Sequence, residues 1–305
     1  HVLTAKVFTY FGFKDYALTG CACTYAQAHW QMANQQKPLP LYVPEDCNTL
    51  KEAVKRVAQD PRITTIVLGK GKHVVEVFKD KWGRDSNILT ITSAMHIVGR
   101  PNVPKEKIVV VGGIKFEEGI QGISHLQHLT LRLAKKSLVW GESSFTMEDV
   151  LVEQCKYFGV LAGGTGVVGR CTNVEVRQCG DSGVYAADGA SITLIGAKTK
   201  VHHNCKNGAL VDYGLKVSGF FSSTIQLIAP LTKEQISIDN GGGGNWGAED
   251  NGDINQIKTI DATTTTSSSA PCGETKSNHA SSTRRDDLLR LPDHVITTKV
   301  FTYFG

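Results

Sequence analysis

The stretch Val150-Leu-Val-Glu-Gln-Cys155 returns 24 residues later in this 305-residue chain as Val174-Glu-Val-Arg-Gln-Cys179. A third version, Val201-His-His-Asn-Cys205, places its valine 25 residues after Val176. Each version leads to a glycine and a small apolar residue, at Gly159-Val160, Gly183-Val184 and Gly208-Ala209. A recurring period of this length is typical of proteins built from stacked units, because one unit cannot bury its apolar face alone.

Alternation of apolar and polar residues within each version predicts a short β-strand with one buried and one exposed face. The spacing therefore predicts a parallel β-helix, a mainly β solenoid, over residues 63–247, with earlier coils at 108–111 and 129–131. Like residues are expected to stack, with Cys155, Cys179 and Cys205 at a turn and Glu153, Arg177 and His202 on the outside. An antiparallel β-sandwich is the competing fold, but it needs no such period.

A helix is predicted just before the first coil. Residues 48–58 place Leu50, Val54 and Val57 on one face, with Asn48 as the N-cap candidate and Asp60-Pro61 as the stop. A strand over 63–68 and a turn at 69–71 follow. Since a solenoid needs a cover over its open first coil, we expect this helix, within segment 37–62, to be the cap.

The two ends of the chain share a second kind of sequence. Residues 294–305 match residues 1–12 at ten of twelve positions, 293 residues apart. We expect the chain to be one unit of a tandem array, and a duplicated terminal motif is the alternative. Apolar spacing predicts helices over residues 1–36, and a second copy of this helical segment is expected to begin in 291–305. The polar tract within 248–290 predicts a linker.

The tail begins Leu291-Pro-Asp-His-Val-Ile296 and continues through Phe301 and Phe304, while the head passes through Asp15, Leu18, Cys23 and Trp30. Together these residues resemble the F-box, a short helical motif that opens with Leu-Pro. The head itself lacks the Leu-Pro start, and Tyr16 stands where a leucine is commoner. A helical head followed by a capped solenoid resembles the F-box-only proteins whose second half is a right-handed parallel β-helix of the pectin-lyase-like type.

The resemblance implies a substrate-recognition adaptor of a Skp-cullin-F-box-type ubiquitin ligase, without enzymatic activity. The F-box helices would bind a Skp-type adaptor protein through Val2, Leu3, Val7, Phe8 and Phe11, and the solenoid would present a surface to an unknown protein target. Alternatively, these apolar residues only pack the head onto the first coil. The chain would then be a structural tandem-repeat protein whose neighbouring repeat units assemble end to end.

Charge and cysteine usage narrow the class further. The net charge of +4 comes from 33 basic and 29 acidic residues that are well mixed, and no stretch of 18 apolar residues occurs, so neither nucleic-acid nor membrane binding is predicted. The eight cysteines are expected to be reduced, because three of them recur at the coil period. The chain also lacks an Asn-x-Ser/Thr sequon, and both features favour a cytoplasmic or nuclear protein.

A carbohydrate-binding or carbohydrate-cleaving β-helix is the third hypothesis, since the fold also hosts polysaccharide lyases and hydrolases. Asp181, Asp188 and Asp212 fall on neighbouring coils and could share one flank as acid-base groups. The competing interpretation is that they are turn residues, as in Asp188-Gly189. His202 and His203 are neighbours on a predicted strand and should point to opposite faces, so no metal site is predicted, and no cofactor.

Overall fold

The computed structural model describes residues 40–219 and 222–261, and parallel β-sheets dominate them. The predicted helical segments 1–36 and 291–305 lie outside these residues, as does the predicted linker beyond residue 261. Within the described ranges, no helix is both long enough and apolar enough to cross a membrane.

Twenty-three strands and two short α-helices make up the described chain. The helices are α1 (Leu50–Gln59) and α2 (Lys233–Ile236), and single 3-10 turns lie at Lys105–Lys107 and Ile254–Gln256. In chain order the strands are β1 (Pro40–Val43), β2 (Thr65–Leu68), β3 (Gly71–Val74), β4 (Phe78–Lys79), β5 (Asp85–Ser86), β6 (Ile88–Ile91), β7 (His96–Gly99), β8 (Ile108–Val111), β9 (Gly113–Phe116), β10 (Ser124–Arg132), β11 (Val139–Gly141), β12 (Phe145–Glu153), β13 (Val160–Gly163), β14 (Val168–Thr172), β15 (Glu175–Arg177), β16 (Val184–Ala187), β17 (Ser191–Ile195), β18 (Lys200–His202), β19 (Tyr213–Ser218), β20 (Thr224–Ile228), β21 (Ser237–Ile238), β22 (Gly244–Glu249) and β23 (Ile257–Ile260).

Fourteen strands form the long sheet, whose main path is β1-β2-β7-β10-β12-β14-β17-β20-β23. A second row of that sheet joins β3 and β8 to β10, and joins β15, β18 and β21 to β12. Seven strands form the short sheet, in the order β6-β9-β11-β13-β16-β19-β22. Every strand pair in both sheets is parallel, and within the described residues only the hairpin β4–β5 is antiparallel. The antiparallel sandwich is therefore wrong, and the fold is mainly β and solenoid-like.

The predicted stacking of the core valines is confirmed. Val152 lies opposite Val176, and Val176 lies opposite Val201, on neighbouring strands of the long sheet. Leu131 and Val110 continue the same row through β10 and β8. All five side chains are buried. The period in the sequence is thus the length of chain that separates one strand from its parallel neighbour.

Aromatic packing joins the two sheets in the middle of the core. The rings of Phe116 and Phe145 are both fully buried and stack with centroids 5.5 Å apart at an interplanar angle of 20°. Gly169 on β14 lies opposite Phe145, and a Cβ atom at Gly169 would lie 2.8 Å from the Phe145 ring. The ring therefore occupies the space that a side chain at Gly169 would need.

The predicted capping helix is confirmed over Leu50–Gln59, with a different N-cap. Leu50, Val54 and Val57 are buried as the apolar spacing predicts. The cap is Thr49 rather than Asn48, because the Thr49 hydroxyl accepts the N–H of Glu52 at 3.1 Å. A side-chain oxygen at this position satisfies one of the free donors at the start of a helix.

Strand pairing extends beyond the predicted range 63–247 at both ends. Residues 40–43 form β1, which pairs in parallel with β2, so the sheet begins before the capping helix. Residues 257–260 form β23, which pairs with β20, so the beginning of the predicted linker 248–290 belongs to the sheet. Both strands contain the alternating apolar residues that a sheet edge can bury, such as Leu41 and Ile257.

One turn of the chain is longer than the valine spacing suggests. The N–H of Gly183 donates to the carbonyl of Tyr213, and Val184 lies opposite Leu215. Gly214 is therefore the counterpart of Gly183, and the predicted alignment with Gly208 is wrong. Extra residues in the loop before β19 come after Val201 and so leave its pairing with Val176 unchanged. They shift the entry into the short sheet and also lengthen the chain before the next long-sheet strand, in which Thr224 pairs with Ser191.

The backbone supports the predicted thiol stack. Cys155, Cys179 and Cys205 are buried on consecutive turns. The N–H of Gly180 donates to the carbonyl of Cys155 at 2.9 Å, and the N–H of Lys206 donates to the carbonyl of Cys179 at 3.2 Å. Asn204, one residue before Cys205, accepts the N–H of Cys179 at 3.1 Å, so the third turn holds one residue more than the pairing of Arg177 with His202 requires. The described cysteines are all free thiols, namely Cys47, Cys155, Cys171, Cys179 and Cys205.

The predicted outer row is also confirmed, and ion pairs join its members. Glu153 lies opposite Arg177, which lies opposite His202. Glu153 accepts from Arg177 at 2.8 Å and from Arg132 at 2.5 Å, and the two guanidinium groups bury its carboxylate. Opposite charges on neighbouring strands thus reinforce the register that the core sets.

Candidate functional site

The structure brings two of the three predicted acid-base aspartates to one cluster on the outer face of the short sheet. We call it the Lys216 cluster, and it consists of Asp181, Tyr185, Asp212, Lys216 and Glu249. Lys216 lies on β19 directly opposite Tyr185 on β16. Glu249 is at the end of β22, the next strand of the sheet.

Lys216 is at the centre of this cluster and is almost completely buried, with 4% of its side chain exposed. Its ammonium group lies 2.6 Å from Glu249 Oε2 and 3.4 Å from Asp212 Oδ1. The same group lies 4.7 Å from the centre of the Tyr185 ring, within the range of a cation–π interaction. The lysine is therefore paired on two sides and stacked on a third.

The remaining polar groups around Lys216 are also satisfied. The Ser182 hydroxyl donates to Asp212 Oδ1 at 2.9 Å, and the Tyr185 hydroxyl donates to Glu249 Oε1. Burial raises the pKa of Tyr185 above its usual range, and the neighbouring Glu249 carboxylate adds to that effect. Tyr185 consequently stays a hydrogen-bond donor throughout the physiological pH range.

Asp181 and Glu249 are the two members of the cluster that are only partly buried. Burial raises the pKa of the Asp181 carboxyl group, the hydrogen bond from Asn207 at 2.8 Å lowers it, and the charge of Asp212 raises it again. The net effect is a raised pKa. Asp188 stands apart as an exposed turn residue with a left-handed backbone at φ 54°, as expected of Asp before Gly189.

The arrangement favours a structural use of Asp212 over a catalytic one. A general acid or base must come within hydrogen-bond distance of its substrate. Asp212 is buried, and its carboxylate is already engaged by Ser182 and Lys216. Of the two partly exposed carboxylates, Glu249 is paired with Lys216, whereas within the described residues Asp181 forms no ion pair.

Replacing Asp181 with asparagine should leave the protein as stable or slightly more stable at pH 7, by less than about 1 kcal/mol. The folded state holds the Asp181 proton more tightly than the unfolded state, so this carboxyl lowers stability as pH rises above about 3.8. Below that pH both states bind the proton, and the difference between variant and parent should vanish. Urea unfolding at pH 3 and pH 7 measures this, and a destabilised variant at pH 7 would contradict it.

The two adjacent histidines are closer together than the strand pattern predicts. Nδ1 of His202 and Nδ1 of His203 lie 2.7 Å apart, and Nε2 of His202 lies 3.2 Å from Glu175. His203 follows β18 with a left-handed backbone at φ 55°, which turns its ring back toward His202. The prediction of opposite faces is therefore wrong. Among the described residues, no group of three His, Cys, Asp or Glu side chains is placed to hold a metal ion.

A second surface feature, which the sequence analysis missed, is an open groove at one corner of the long sheet. We call it the corner groove. It has a volume of about 530 Å³, and its principal lining residues are Val74, Val75, Val77, Leu133, Lys135 and Lys156. Its volume is within the range of ligand-binding clefts in proteins.

The floor of the corner groove is rigid. The side chain of Asn87 is buried, donates to the carbonyl of Leu133 at 3.2 Å and accepts the N–H of Lys135 at 2.7 Å. The N–H of Leu133 donates to the carbonyl of Gln154, one strand further along the sheet. These bonds hold the turn at residues 133–135 in place without any help from a ligand.

The walls of the groove are apolar and exposed. Val74, Val77 and Leu133 have 57%, 55% and 51% of their surface open to solvent. Valine and leucine side chains this exposed and this close together mark a surface that can bind another molecule. The signal in the sequence is weak, because Val77 and Leu133 follow strands β3 and β10 rather than lie in them, and strand alternation does not apply there.

A basic aromatic hairpin, β4–β5, follows the groove along the chain. Trp82 at its tip is 63% exposed, and the cationic groups of Lys81, Arg84 and Lys136 lie 4.3, 4.7 and 5.7 Å from its ring centre. Lys136 is also paired with Asp80 at 2.7 Å, which anchors the hairpin to the turn after Leu133. The hairpin and the groove thus form adjoining parts of one surface.

The predicted docking residues of the head, which are Val2, Leu3, Val7, Phe8 and Phe11, lie outside the described residues. The fold and the two surfaces define the class of the molecule. It is a mainly β protein with two sheets of parallel strands, a buried cluster of charged residues and an open apolar groove. Comparison of the chain with protein-family models, curated proteins and solved structures finds no match.

Proposed function

We propose that this chain is the recognition subunit of a Skp-cullin-F-box-type ubiquitin ligase, and that its sheets form the surface that binds a protein target. The observation that carries the proposal is the corner groove, in which Val74, Val77 and Leu133 are exposed around a rigid floor. Exposed apolar walls favour binding, while the acid-base candidate Asp212 is already engaged.

The proposed fold is a closed right-handed parallel β-helix. Successive strands of each sheet pair in parallel and in register, and the chain passes from one sheet to the other between them. Connections between parallel strands of one sheet are right-handed in about 98% of proteins, which supports this hand. A solenoid of this kind is rigid along its length, so it can present a binding surface of fixed shape.

The link to the ligase rests on the head and tail sequences. Their likeness to the F-box implies that Val2, Leu3 and Val7 would contact a Skp-type adaptor together with Phe8 and Phe11. These apolar side chains would bind as a stripe on a helix, which is a common way for one protein to dock on another. The proposed location is the cytoplasm or the nucleus, where such ligases act.

A pulldown of the 305-residue chain with a purified Skp-type adaptor tests the proposal. Phe301 and Phe304 are changed to alanine in every sample, so that the second copy of the motif cannot substitute for the first. The changes Phe8→Ala and Phe11→Ala together should then abolish binding, whereas the neighbouring change Phe13→Ala should preserve it. No binding by the parent chain, or equal loss in the Phe13→Ala control, would refute the adaptor function.

Carbohydrate binding or cleavage is the second candidate, and the environment of Asp181 is the observation that favours it. A partly exposed carboxyl with a raised pKa beside a second carboxylate resembles the acid-base pairs of glycoside hydrolases. Uronic-acid polymers are the test substrates, with Asp181→Asn as the variant and Asp188→Ala as the control. Activity that survives Asp181→Asn, or no binding and no activity in the parent, would eliminate this candidate.

A further inference from the structure

We propose that the corner groove binds a short acidic segment of the target protein in an extended conformation. Aliphatic side chains of that segment would cover Val74, Val77 and Leu133, and its carboxylates would pair with Lys135 and Lys156. The inference rests on the proposed function, since it takes the sheets to be a surface for protein targets, and it names the chemistry of the partner.

The backbone of Leu133 favours a partner at this position. Its φ of 58° is in the left-handed region, which a bulky residue adopts only at a cost in free energy. The residues that follow the equivalent strands on later turns, Gln154, Gln178 and His203, have the same conformation but polar side chains. Half of the Leu133 surface stays open to solvent in the free protein, so a partner that covers it would add burial that this strained position otherwise lacks.

The charge at the rim of the groove favours an acidic partner. Lys135 and Lys156 are exposed at the rim, and within the described residues neither forms an ion pair. Asp85 lies within electrostatic range of both lysines, and Asp181 lies within range of Lys156. The Asp85 carboxylate is already paired with Lys79 at 2.7 Å, and Asp181 accepts a hydrogen bond from Asn207 at 2.8 Å. Among the described residues that line the groove only the two lysines are charged, so the lining is positive and electrostatic complementarity selects a negatively charged partner.

The length of the groove fits a short extended peptide. The groove is lined by residues on or just after four neighbouring strands, β3, β8, β10 and β12. Three strand spacings of about 4.8 Å give a length of roughly 14 Å. An extended peptide advances by about 3.3 Å per residue, so about four residues would fill the groove.

The concave shape favours a peptide over a lipid surface. A membrane presents a flat boundary and would be reached by a projecting element rather than by the floor of a groove. The buried floor residues Val75, Ala134 and Cys155 lie below the exposed walls. The side chains of a narrow peptide can reach them, whereas a flat surface cannot. Binding to anionic vesicles is accordingly an outcome that the test must be able to detect.

The test is selection of a phage-displayed library of random 12-residue peptides on the immobilised 305-residue chain. We expect enrichment of peptides that carry a net negative charge and several aliphatic residues. A fluorescein-labelled peptide of the enriched sequence should bind the parent chain in a fluorescence-anisotropy titration. The changes Lys135→Glu and Lys156→Glu together should weaken that binding at least tenfold, and the matched surface changes Lys198→Glu and Lys206→Glu should leave it within twofold.

Leu133→Asn supplies the second variant and guards against misfolding. Asparagine tolerates the left-handed backbone, so the midpoint of thermal unfolding should stay the same or rise while peptide affinity falls at least tenfold. No enrichment, enrichment of basic or neutral peptides, or equal loss in the Lys198→Glu and Lys206→Glu control would overturn the proposal. Binding to phosphatidylserine vesicles that is lost on Lys135→Glu and Lys156→Glu, without peptide binding, would also overturn it.

The groove variants also separate this inference from the adaptor proposal. Lys135→Glu, Lys156→Glu and Leu133→Asn should retain binding to the Skp-type adaptor, because they lie outside the head. Peptide binding without adaptor binding would refute the ligase function and leave the groove intact. Adaptor binding with no groove-dependent peptide binding would refute the groove alone.

Discussion

Replacing Lys216 with methionine is expected to lower the free energy of unfolding by about 3–5 kcal/mol. The lysine is buried between Asp212 and Glu249, at 3.4 and 2.6 Å, and methionine keeps most of its volume without its charge. The loss comes chiefly from Asp212, whose carboxylate would stay buried with only the hydroxyl of Ser182 as a partner. Urea unfolding at pH 7 measures the change.

Lys206→Met is the matched control, because Lys206 is exposed in the loop before β19. Its replacement should change the free energy of unfolding by no more than about 0.5 kcal/mol. Adding Asp212→Asn to Lys216→Met should recover part of the loss, since it removes the more deeply buried of the two unpaired carboxylates and leaves only the partly exposed Glu249. Equal effects of Lys216→Met and Lys206→Met would show that the ammonium group is not buried between the carboxylates.

Phe145→Ala is expected to cost about 3–5 kcal/mol, since it removes a fully buried ring that stacks on Phe116. Gly169→Ala should cost about 1–3 kcal/mol by itself, because its new Cβ would lie 2.8 Å from the Phe145 ring. The loss in free energy of unfolding of the double variant should be smaller than the sum of the two single losses by at least about 1 kcal/mol. In the absence of the ring, the added methyl group fills part of the cavity instead of clashing.

The control for this double-mutant cycle is Gly163→Ala. The closest atom to a Cβ at Gly163 would be a carboxylate oxygen of Asp188 at 3.8 Å, which is ordinary contact. Gly163→Ala should therefore be tolerated and should add independently to Phe145→Ala. Strict additivity between Phe145→Ala and Gly169→Ala would mean that the two residues do not face each other across β12 and β14.

The core of the fold could be predicted because it depends on spacing alone. Val152, Val176 and Val201 recur at nearly constant intervals, and residues at equal positions on successive parallel strands must pack on one another. Turn lengths carry no such constraint. For this reason the valine rows are predicted correctly, whereas Gly208 is displaced from its predicted alignment by residues that the loop before β19 accommodates.

The two surfaces could not be predicted because they depend on contacts between distant parts of the chain. Lys216 meets Glu249 only because β19 and β22 are neighbours, and Asn87 anchors Leu133 across 46 residues of sequence. Periodicity identifies which side chains point outward, but not which of them meet. The likeness of the head and tail to the F-box lies outside the described residues and stays a prediction.

The most direct test of the coiled, in-register arrangement is an engineered disulfide between neighbouring strands. Gln127 on β10 lies opposite Glu148 on β12, and their side chains are hydrogen-bonded at 3.4 Å on the outer face. Paired positions on parallel strands have Cα atoms about 4.8 Å apart, a distance that a disulfide can bridge. Gln127 and Thr146 are displaced by two residues along the strands, so their Cα atoms are more than about 7 Å apart, which is too far for a disulfide.

The variant with Gln127→Cys and Glu148→Cys should therefore form the cross-link under mild oxidation, and the variant with Gln127→Cys and Thr146→Cys should not. Peptide mass spectrometry of the oxidised chains identifies the bond. Cross-linking of the displaced pair in preference to the opposed pair, or of neither pair, would contradict the register on which the fold and both surfaces depend.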